Sequence, residues 1–427
     1  MLDAQFVYDH LDEIKTNCRH RNVKVDLDGL RPLYEEKKQL SRDLQALQTR
    51  QNELAKATGK EKDPGQRQRL IEEGRQLREQ AQQLEAKQRE NDQALKQVLL
   101  TIPNLSHPDA PVGTTAADNK VIKSWGTPPP FSFKPLDHVT LAEKLDLVDF
   151  EAGAAVAGQK FYFLKRAAAL LEIALVQFAM QHLVRAGFIP VITPDLARAE
   201  VLEGIGFIPR GPETQIYSIE NSDLCLVATA EITLGGMHRD QILEQARLPL
   251  RYVGLSHCFR TEAGAPGRDT RGLYRVHQFT KVEMFVFCTP DQSGAEHETL
   301  LRLEEEIFQA LGLPYQVIDT CTGDLGGPAY RKYDLEAWMP GRGTAGEFGE
   351  VTSTSNCTDF QARRLGIRYK GPDFKGTRFV HTLNGTAVAV SRALVALLEN
   401  GQQADGTVMV PDVLRPWVGV DRIVPPG

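Results

Sequence analysis

The densest group of ionisable side chains in the sequence lies between residues 275 and 283. In an extended strand successive side chains point to opposite faces, so every second residue shares a face. That spacing groups four ionisable residues with one aromatic residue: Arg275, His277, Phe279, Lys281 and Glu283. The other face holds mainly apolar residues: Val276, Val282, Met284 and Val286. A face this polar indicates a binding site, although a solvated face with cross-strand ion pairs fits the alternation equally well.

The chemistry that these residue types could perform is the binding of a nucleotide. The ring of Phe279 offers a flat surface for adenine, and the planar guanidinium of Arg260 can fork onto a phosphate. Glu262 and Glu283 carry carboxylates that can bind an amine or a hydroxyl group. The sequence therefore predicts two strands, joined by a loop with several glycines, that together form a nucleotide site.

Two further segments carry groups for metal and phosphate chemistry. Glu350 and Ser353 can hold a magnesium ion that bridges phosphates. Arg392 is expected in the first turns of a helix, where it can reach a phosphate, but a surface cation is an equally good interpretation. The segment 341–346 matches Gly-x-Gly-x-x-Gly but lacks the strand–helix context of a dinucleotide site, and no phosphate-binding Gly-x-x-x-x-Gly-Lys-Ser/Thr loop occurs.

The elements that must position these residues follow from the helix and strand signals. A helix is predicted at about 161–186, and Gly187 and an extended segment at 188–194 follow it. Strands are predicted at 224–228, 251–260, 275–287, 315–320, 330–338, 347–354 and 377–383, and further helices at 230–246, 293–311, 356–365 and 386–400. Because the strands come in groups and do not alternate regularly with helices, the sequence predicts an α+β fold on a mixed or antiparallel sheet.

Residues 27–100 carry the clearest architectural signal. Apolar residues recur there at steps of three and four, which is typical of coiled-coil heptads. The two seams are Leu30, Leu33, Lys37, Leu40, Leu44, Leu47, Gln51 and Leu54, then Leu77, Ala81, Leu84, Gln88, Asn91, Leu95 and Val98. The helix-breaking segment 58–65 separates them, so we expect an antiparallel two-helix hairpin about 45 Å long.

The charge of the chain is unevenly distributed. The net charge is −6, which by itself argues against a nucleic-acid partner. Residues 31–100, however, contain 15 Lys or Arg and 12 Asp or Glu, a balance of +3 that leaves −9 for the rest. The hairpin is therefore a weakly basic arm on an acidic body. Taken alone, it fits a dimerisation coiled coil better than an RNA-binding arm.

The remaining features divide the chain and predict its location. A stretch rich in proline and glycine at 104–135 predicts a linker between an N-terminal domain at 1–103 and a main domain at 136–427. The N-terminus matches neither a secretory nor a transit signal, and we find no apolar run long enough to span a bilayer. The six cysteines are widely spaced and are expected to be free. We therefore expect a cytoplasmic protein without a membrane partner.

Five short motifs can be compared with known families. They are Thr-Ala-Glu at 229–231, Phe-Arg-Thr-Glu at 259–262, His-Gln-Phe-Thr-Lys-Val-Glu at 277–283, Ser-Asn-Cys-Thr-Asp-Phe-Gln-Ala-Arg-Arg at 355–364 and Thr-Leu-Asn-Gly at 382–385. Together they resemble the class II aminoacyl-tRNA synthetases, and nearly the whole chain resembles the bacterial or organellar seryl-tRNA synthetases. The resemblance implies a class II catalytic domain at 136–427, activation of L-serine with ATP and transfer to the 3′ end of tRNA(Ser), with tRNA(Sec) as a second candidate.

The resemblance also implies a role for each matching residue. The implied serine-binding residues are Thr229, Glu231, Arg260, Glu283, Asn384 and Thr386. The implied ATP-binding residues are Arg260, Thr261, Glu262, Val276, Phe279, Glu350, Val351, Thr352, Ser353 and Arg392. Within these sets Arg260, Glu283 and Arg392 would carry the chemistry, and Glu350 and Ser353 would hold Mg²⁺. Arg260 would bridge the serine carboxylate and the α-phosphate, while Arg392 would contact the γ-phosphate.

The partners implied by the resemblance change the interpretation of the hairpin. It would bind the long variable arm of tRNA(Ser) across a homodimer, and Pro194 would lie at the two-fold interface. Ala387 and Ser391 stand where the family often has glycine. Of the roles that the resemblance implies, the ATP geometry around Arg392 therefore follows least directly from the family pattern. Three rival interpretations stay open: a relative that loads a carrier protein, a catalytically silent RNA-binding paralogue and a structural coiled-coil dimer.

Overall fold

The computed structural model describes residues 1–207, 215–262 and 271–426. The chain divides into two compact units, Met1–Pro103 and Asn104–Gly427, and each is considered by itself. Most of the glycine-containing loop predicted between the two site strands falls on residues 263–270 and lies outside the described residues.

The first unit is helical, and its two long helices form the predicted hairpin. Its helices are α1 (Ala4–Asp9), α2 (Leu11–His20), α3 (Leu30–Lys60) and α4 (Pro64–Thr101). The break is shorter than the segment 58–65, because α3 continues through Gly59 to Lys60 and α4 starts at Pro64. Proline is favoured at a first helical position, and the Asp63 side chain caps α4 by accepting a hydrogen bond from the Gln66 amide at 2.7 Å.

The seam between α3 and α4 has the predicted composition, and its polar members contact the opposite helix. Lys37 forms an ion pair with Asp92 at 2.7 Å. The Asn91 amide donates to a Glu36 carboxylate oxygen at 2.9 Å, although Asn91 itself is only 6% exposed. The coiled-coil prediction is thus confirmed, with polar residues inside an otherwise apolar contact.

The second unit is α+β, as predicted. Its described strands are β1 (Lys120–Trp125), β2 (Val148–Asp149), β3 (Phe163–Leu164), β4 (Ile189–Ile192), β5 (Leu196–Arg198), β6 (Leu224–Leu226), β7 (Ile242–Glu244), β8 (Leu250–Phe259), β9 (Gln278–Cys288), β10 (Tyr315–Asp319), β11 (Arg331–Met339), β12 (Glu347–Asn356), β13 (Arg368–Lys370), β14 (Arg378–Phe379), β15 (His381–Ala389), β16 (Val408–Met409) and β17 (Arg422–Ile423). Its described helices are α5 (His138–Lys144), α6 (Phe150–Ala157), α7 (Arg166–Arg185), α8 (Ala199–Ile205), α9 (Ala230–Gly236), α10 (Ser293–Ala310), α11 (Phe360–Leu365), α12 (Val390–Gly401) and α13 (Arg415–Val418).

Eight strands form one sheet in the order β1-β10-β11-β12-β15-β9-β8-β4. All neighbours are antiparallel except β4 and β8, so the sheet is mixed and largely antiparallel, as predicted. Strand β1 at one edge comes from the segment 104–135, which the sequence indicated only as a linker.

Strand β9 separates two apolar cores. Its even-numbered residues Val282, Met284 and Val286 pack in the core formed with α7, α10 and α12. Phe285 and Phe287 point the other way, into a second core formed with α8, α9 and α11. The alternation predicted from period two is therefore correct within the strand, and it leaves the positions before Phe285 on the same side for the site.

Several predicted boundaries were wrong, and tertiary pairing explains the differences. The strand predicted at 275–287 begins at Gln278, because the His277 amide donates to the Lys160 carbonyl at 3.2 Å and leaves the sheet. The helix predicted at 386–400 begins at Val390, since residues up to Ala389 extend β15 and pair with β9. The helix predicted at 230–246 ends at Gly236, and β7 then pairs in parallel with β13.

Helix α7 is long and apolar enough to cross a membrane by length and composition alone. By that criterion the expectation that no apolar run is long enough to span a bilayer was wrong. Its side chains Leu171, Leu175 and Leu183 are fully buried against the sheet and the neighbouring helices. Packing in the core of the second unit therefore accounts for one face of this helix, while Leu170, Ile173 and Val184 leave apolar surface exposed on the rest.

The buried asparagine of the hairpin gives a prediction about stability. Oδ1 of Asn91 has no hydrogen-bond partner within the described residues, and an unsatisfied buried polar atom costs about 1–3 kcal/mol. We expect Asn91→Leu to raise the free energy of unfolding by about 1 kcal/mol, measured by chemical denaturation with circular dichroism.

The control is Asn52→Leu, at an exposed position of α3, which should change stability by less than about 0.5 kcal/mol. An Asn91→Leu protein no more stable than the unchanged chain would show that the amide–Glu36 hydrogen bond outweighs the unsatisfied oxygen.

Candidate active site

A cleft with a cavity volume of about 150 Å³ is lined by residues of β9, β12 and β15 and of helices α9 and α12. It brings together fourteen of the fifteen residues that the resemblance implicates: Thr229, Glu231, Arg260, Glu262, Val276, Phe279, Glu283, Glu350, Val351, Thr352, Ser353, Asn384, Thr386 and Arg392. Thr261 does not line it; the Thr261 backbone amide donates to the Gln215 carbonyl at 3.1 Å.

The floor of the cleft is a buried ion pair on β9. The Lys281 ammonium lies 2.5 Å from Oε2 of Glu283, and both side chains are less than a tenth exposed. Thr386, which is opposite Glu283 in the register with β15, donates to the same oxygen at 3.1 Å. Pairing and hydrogen bonding offset the cost of burying these charges.

The predicted polar face of the strand is correct for residues 279–283 and wrong for residues 275–277. Arg275 precedes the strand but still reaches the cleft, where it pairs with Glu262 at 2.8 Å. His277 does not line the cleft; its ring lies near those of Phe161 and Tyr217. Val276, predicted on the apolar face, lines the cleft instead. Alternation fails here because these three residues are not part of the sheet.

A bulge in β12 explains how Glu350 and Ser353 share the cleft. In a regular strand, residues three apart point to opposite faces. Here Leu335 pairs with Thr352 while Glu336 pairs with Glu350, so Val351 is an extra residue on β12. An extra residue of this kind re-aims the side chains that follow it, which brings Glu350 and Ser353 to one side.

Glu231 sits at the start of α9, where Thr229 caps the helix by accepting from the Glu231 amide at 3.1 Å. Oε1 of Glu231 accepts hydrogen bonds from the side-chain amides of Gln361 at 2.8 Å and Asn384 at 3.0 Å. Burial, together with the nearby Glu283 carboxylate, raises the pKa of Glu231 to about 7. Its carboxyl group therefore titrates near neutral pH.

Arg260 enters the cleft just after β8. Its guanidinium lies 5.3 Å from the ring centre of Phe279, and its Nε donates to the Ala228 carbonyl at 3.4 Å. None of the carboxylates in the described ranges lies within ion-pair distance of Arg260. The guanidinium is thus oriented by Phe279 and Ala228 and keeps its charge available for a ligand.

Arg392, at the third position of α12, meets Glu350 on the opposite wall. Its Nη1 donates to a Glu350 carboxylate oxygen at 2.8 Å and lies 3.2 Å from the Glu350 carbonyl. Burial alone would raise the pKa of Glu350, but the charge of Arg392 outweighs it and lowers that pKa to about 2. Glu350 is therefore ionised at every physiological pH. The prediction that Arg392 lies in the first turns of a helix is confirmed.

The sequence matches two protein-family models. The Seryl-tRNA synthetase N-terminal domain matches residues 1–106, and the tRNA synthetase class II core domain (G, H, P, S and T) matches residues 215–401. The serine–tRNA ligases of Rhodopirellula baltica and Rubrobacter xylanophilus are 57% and 56% identical to this chain. These alignments cover 99% and 100% of the chain and 99% of each relative. The chain belongs to the seryl-tRNA synthetase family.

Solved structures of this family share the fold. The seryl-tRNA synthetase of Pyrococcus horikoshii, complexed with ATP, matches with a TM-score of 0.90 at 40% identity, and both chains are fully covered. The cytoplasmic serine–tRNA ligase of Naegleria fowleri, in complex with AMP, matches with a TM-score of 0.86 at 28% identity, covering 100% of this chain and 99% of that one. The chain is a class II serine–tRNA ligase that uses ATP, and the three rival interpretations are set aside.

Six residues that line the cleft of this seryl-tRNA synthetase family member were not among the predicted serine-binding or ATP-binding residues: Phe207, Tyr274, Arg275, Lys281, Ala389 and Ser391. Lys281 and Arg275 belonged to the predicted polar set, so their charge was a usable signal. Tyr274 anchors the Arg392 wall, because its hydroxyl donates to the Glu350 carbonyl at 3.0 Å and its ring lies 4.9 Å from the Arg392 guanidinium. No local pattern marks Phe207.

The raised pKa of Glu231 predicts a pH dependence of serine use. Above about pH 7 the ionised carboxyl group attracts an ammonium group, whereas below about pH 7 it becomes neutral and the attraction is lost. We expect kcat/KM for serine in ATP–pyrophosphate exchange to fall about tenfold per unit on the acid side of that midpoint.

This fall of kcat/KM toward low pH is the acid limb of the pH profile. Glu231→Gln should abolish the acid limb and lower activity. Glu244→Gln, at a surface ion pair with Lys370, should preserve it. A limb with an unchanged midpoint in Glu231→Gln would assign the titration to another group.

Proposed function

We propose that the cleft binds serine and ATP side by side, with Arg260 between them. The observation that carries this proposal is the pairing of its charges. The cleft is lined by four acidic and four basic side chains, and three pairs are satisfied internally: Arg275–Glu262, Lys281–Glu283 and Arg392–Glu350. Within the described residues this leaves one anion, Glu231, and one cation, Arg260, without an ion-pair partner. A zwitterionic amino acid supplies the complement of both.

The serine end of the site is assigned to Glu231, Glu283 and Thr386, with Thr229 and Asn384 beside them. Glu231 binds the ammonium group, and Glu283 and Thr386 hydrogen bond the side-chain hydroxyl. A site built to hydrogen bond a hydroxyl rejects alanine by about 10⁴-fold, because its buried polar groups would stay unpaired. Threonine is refused by crowding around the same hydroxyl.

The ATP end of the site is assigned to the residues around Phe279 and Arg392. Phe279 and Val276 contact adenine, and Glu262 orients it. The serine carboxylate attacks the α-phosphorus and pyrophosphate leaves in line, which gives seryl-adenylate. A terminal ribose hydroxyl of the tRNA then attacks the seryl carbonyl, which forms the ester and releases AMP and a proton. Phosphoryl transfer needs positioning and charge neutralisation more than covalent help, which suits Arg260 and Arg392.

Magnesium binding is assigned to Glu350 and Ser353. Their shared side of β12 provides an ionised carboxylate and a hydroxyl oxygen, and Mg²⁺ is commonly held by one or two protein oxygens together with substrate phosphates. When bound, the ion would neutralise charge on the phosphates of ATP. Thr352 fits an ATP role less directly, since its hydroxyl donates to the buried Glu304 at 2.8 Å.

The helical hairpin is assigned to the long variable arm of tRNA(Ser). Its weakly basic composition and its single apolar seam leave polar side chains around the rest of α3 and α4. Such a surface suits contacts to an RNA backbone and to its shape. The N-terminal domain at 1–103 is thus the tRNA-binding domain, and 136–427 is the catalytic domain, with tRNA(Sec) as a second substrate.

We also infer a homodimer located in the cytoplasm. Strand β4 is an edge strand, and exposed apolar residues lie on it and on α7: Leu170, Ile173, Val184, Ile189 and Ile192. Pro194, two residues after the end of β4, is exposed as well. Apolar surface of this kind favours a partner subunit. In a dimer, the hairpin of one subunit can serve the tRNA charged by the other.

The proposal predicts that Arg260 is essential for the first half of the reaction. Arg260→Ala should lower serine-dependent ATP–pyrophosphate exchange by about 10³-fold, because one oriented donor to developing charge is lost. Arg260→Lys should recover little of the loss, since an ammonium cannot replace a planar fork. Arg422→Ala, at a surface ion pair, is the control. Near-normal exchange in Arg260→Ala would rule the assignment out.

The hairpin assignment predicts that the two half-reactions can be separated. Excision of residues 30–100 should preserve serine-dependent ATP–pyrophosphate exchange and abolish the charging of tRNA(Ser) with radiolabelled serine. The exchange assay is the internal control for correct folding of the catalytic unit. Charging that survives the excision would show that the hairpin does not bind the tRNA.

A further inference from the structure

Gln361 lies outside the cleft and is completely buried on α11. Its side-chain amide nitrogen donates to the Ile205 carbonyl at 3.0 Å and to Oε1 of Glu231 at 2.8 Å. Its amide oxygen accepts from the Thr382 hydroxyl at 2.7 Å. Because a backbone carbonyl can only accept, the nitrogen must face Ile205, and the orientation of the whole amide is fixed.

We propose that Gln361 is a positioning residue for serine recognition: by holding Oε1 of Glu231 from behind, it directs Oε2 into the cleft as an ionised ligand for the ammonium group. The inference rests on the proposed role of Glu231. It concerns a different residue, one that contacts no substrate. Asn384 donates to the same Oε1 from the cleft side, and no described residue hydrogen bonds Oε2.

The surroundings of Glu231 explain why a support is needed there. Glu283 faces it with a like charge, while Lys281 and Arg260 face it with opposite charge. Burial and Glu283 favour the neutral form, and the hydrogen bond from Gln361 opposes them by favouring the ionised form. A neutral carboxyl group would no longer attract the ammonium group and could turn its proton toward a neighbour.

The supporting contacts come from three elements, which makes the support rigid. Ile205 ends α8, Glu231 is in the first turn of α9, and Thr382 is near the start of β15. Gln361 bonds all three at once, so Glu231 cannot rotate without leaving a buried polar group unpaired. Gln361 therefore adds a second, fully satisfied buried support for Glu231 to the contact that Asn384 makes from the cleft side.

The test is the pH profile of kcat/KM for serine in ATP–pyrophosphate exchange with the full chain. Gln361→Met keeps nearly the same shape and removes the amide. We expect the acid limb to move upward by about one pH unit, with a KM for serine raised about tenfold near neutral pH and close to the unchanged protein in alkaline buffer. The KM for ATP should not change.

Gln402→Met is the matched control. Gln402 is also buried, and its amide bonds the Leu136 and Glu399 carbonyls at 3.0 and 2.8 Å, away from the cleft. This variant should keep the limb of the unchanged protein. A uniform loss of kcat in Gln361→Met, with the limb in its original place, would show a purely structural role and overturn the proposal.

Thr382→Val provides a second variant in case Gln361→Met does not fold. It removes only the hydroxyl that donates to the Gln361 amide oxygen, which loosens the amide, so the limb should move in the same direction by a smaller amount. No movement in a folded Thr382→Val protein would also overturn the proposal. Failure of the Glu231 assignment is distinguishable, because the limb would then persist in Glu231→Gln.

Discussion

The cleft depends on the buried ion pair between Lys281 and Glu283. Removing two charges from water costs several kcal/mol per ion unless each finds a close partner and further hydrogen bonds. Thr386 supplies the further bond to Glu283, and it can do so only while β15 and β9 keep their register. A slip by one residue would move these polar groups onto the apolar core side, so the ion pair and the register stabilise each other.

The same cleft holds two carboxyl groups whose pKa values differ by about five units. Glu350 is held near 2 by Arg392, while burial and Glu283 raise Glu231 to about 7. Both are glutamates with the same intrinsic acidity, so only their neighbours distinguish them. Besides the ion-paired Glu262 and Glu283, the site therefore contains an anion held ionised next to the proposed phosphate region and an adjustable anion in the proposed serine region, as expected where two groups have different tasks.

The sequence predicted local features well and features that depend on distant pairing poorly. The hairpin was predictable because heptad spacing is contained in each helix, and the polar face of β9 was predictable because alternation is contained in one strand. The failures at Val276 and His277 follow from a backbone that leaves the sheet there. Gln361 lies in the motif at 355–364, but its role could not be predicted, since its contacts come from residues over 20 and over 150 positions away.

The residues at 384–386 show how one short segment of β15 serves both faces of the sheet. Asn384 and Thr386 face the cleft, while a Cβ at Gly385 would lie 3.0 Å from Oε1 of Glu304 on α10. A side chain at residue 385 would therefore crowd Glu304 on the facing helix, and glycine avoids that crowding. Burial raises the pKa of Glu304 well above its usual range, which favours the neutral form of this acid behind Glu283. Its hydrogen bond from Thr352 also holds β12 beside the bulge, so the positions of Glu350 and Ser353 depend in part on a buried carboxyl group beneath the sheet.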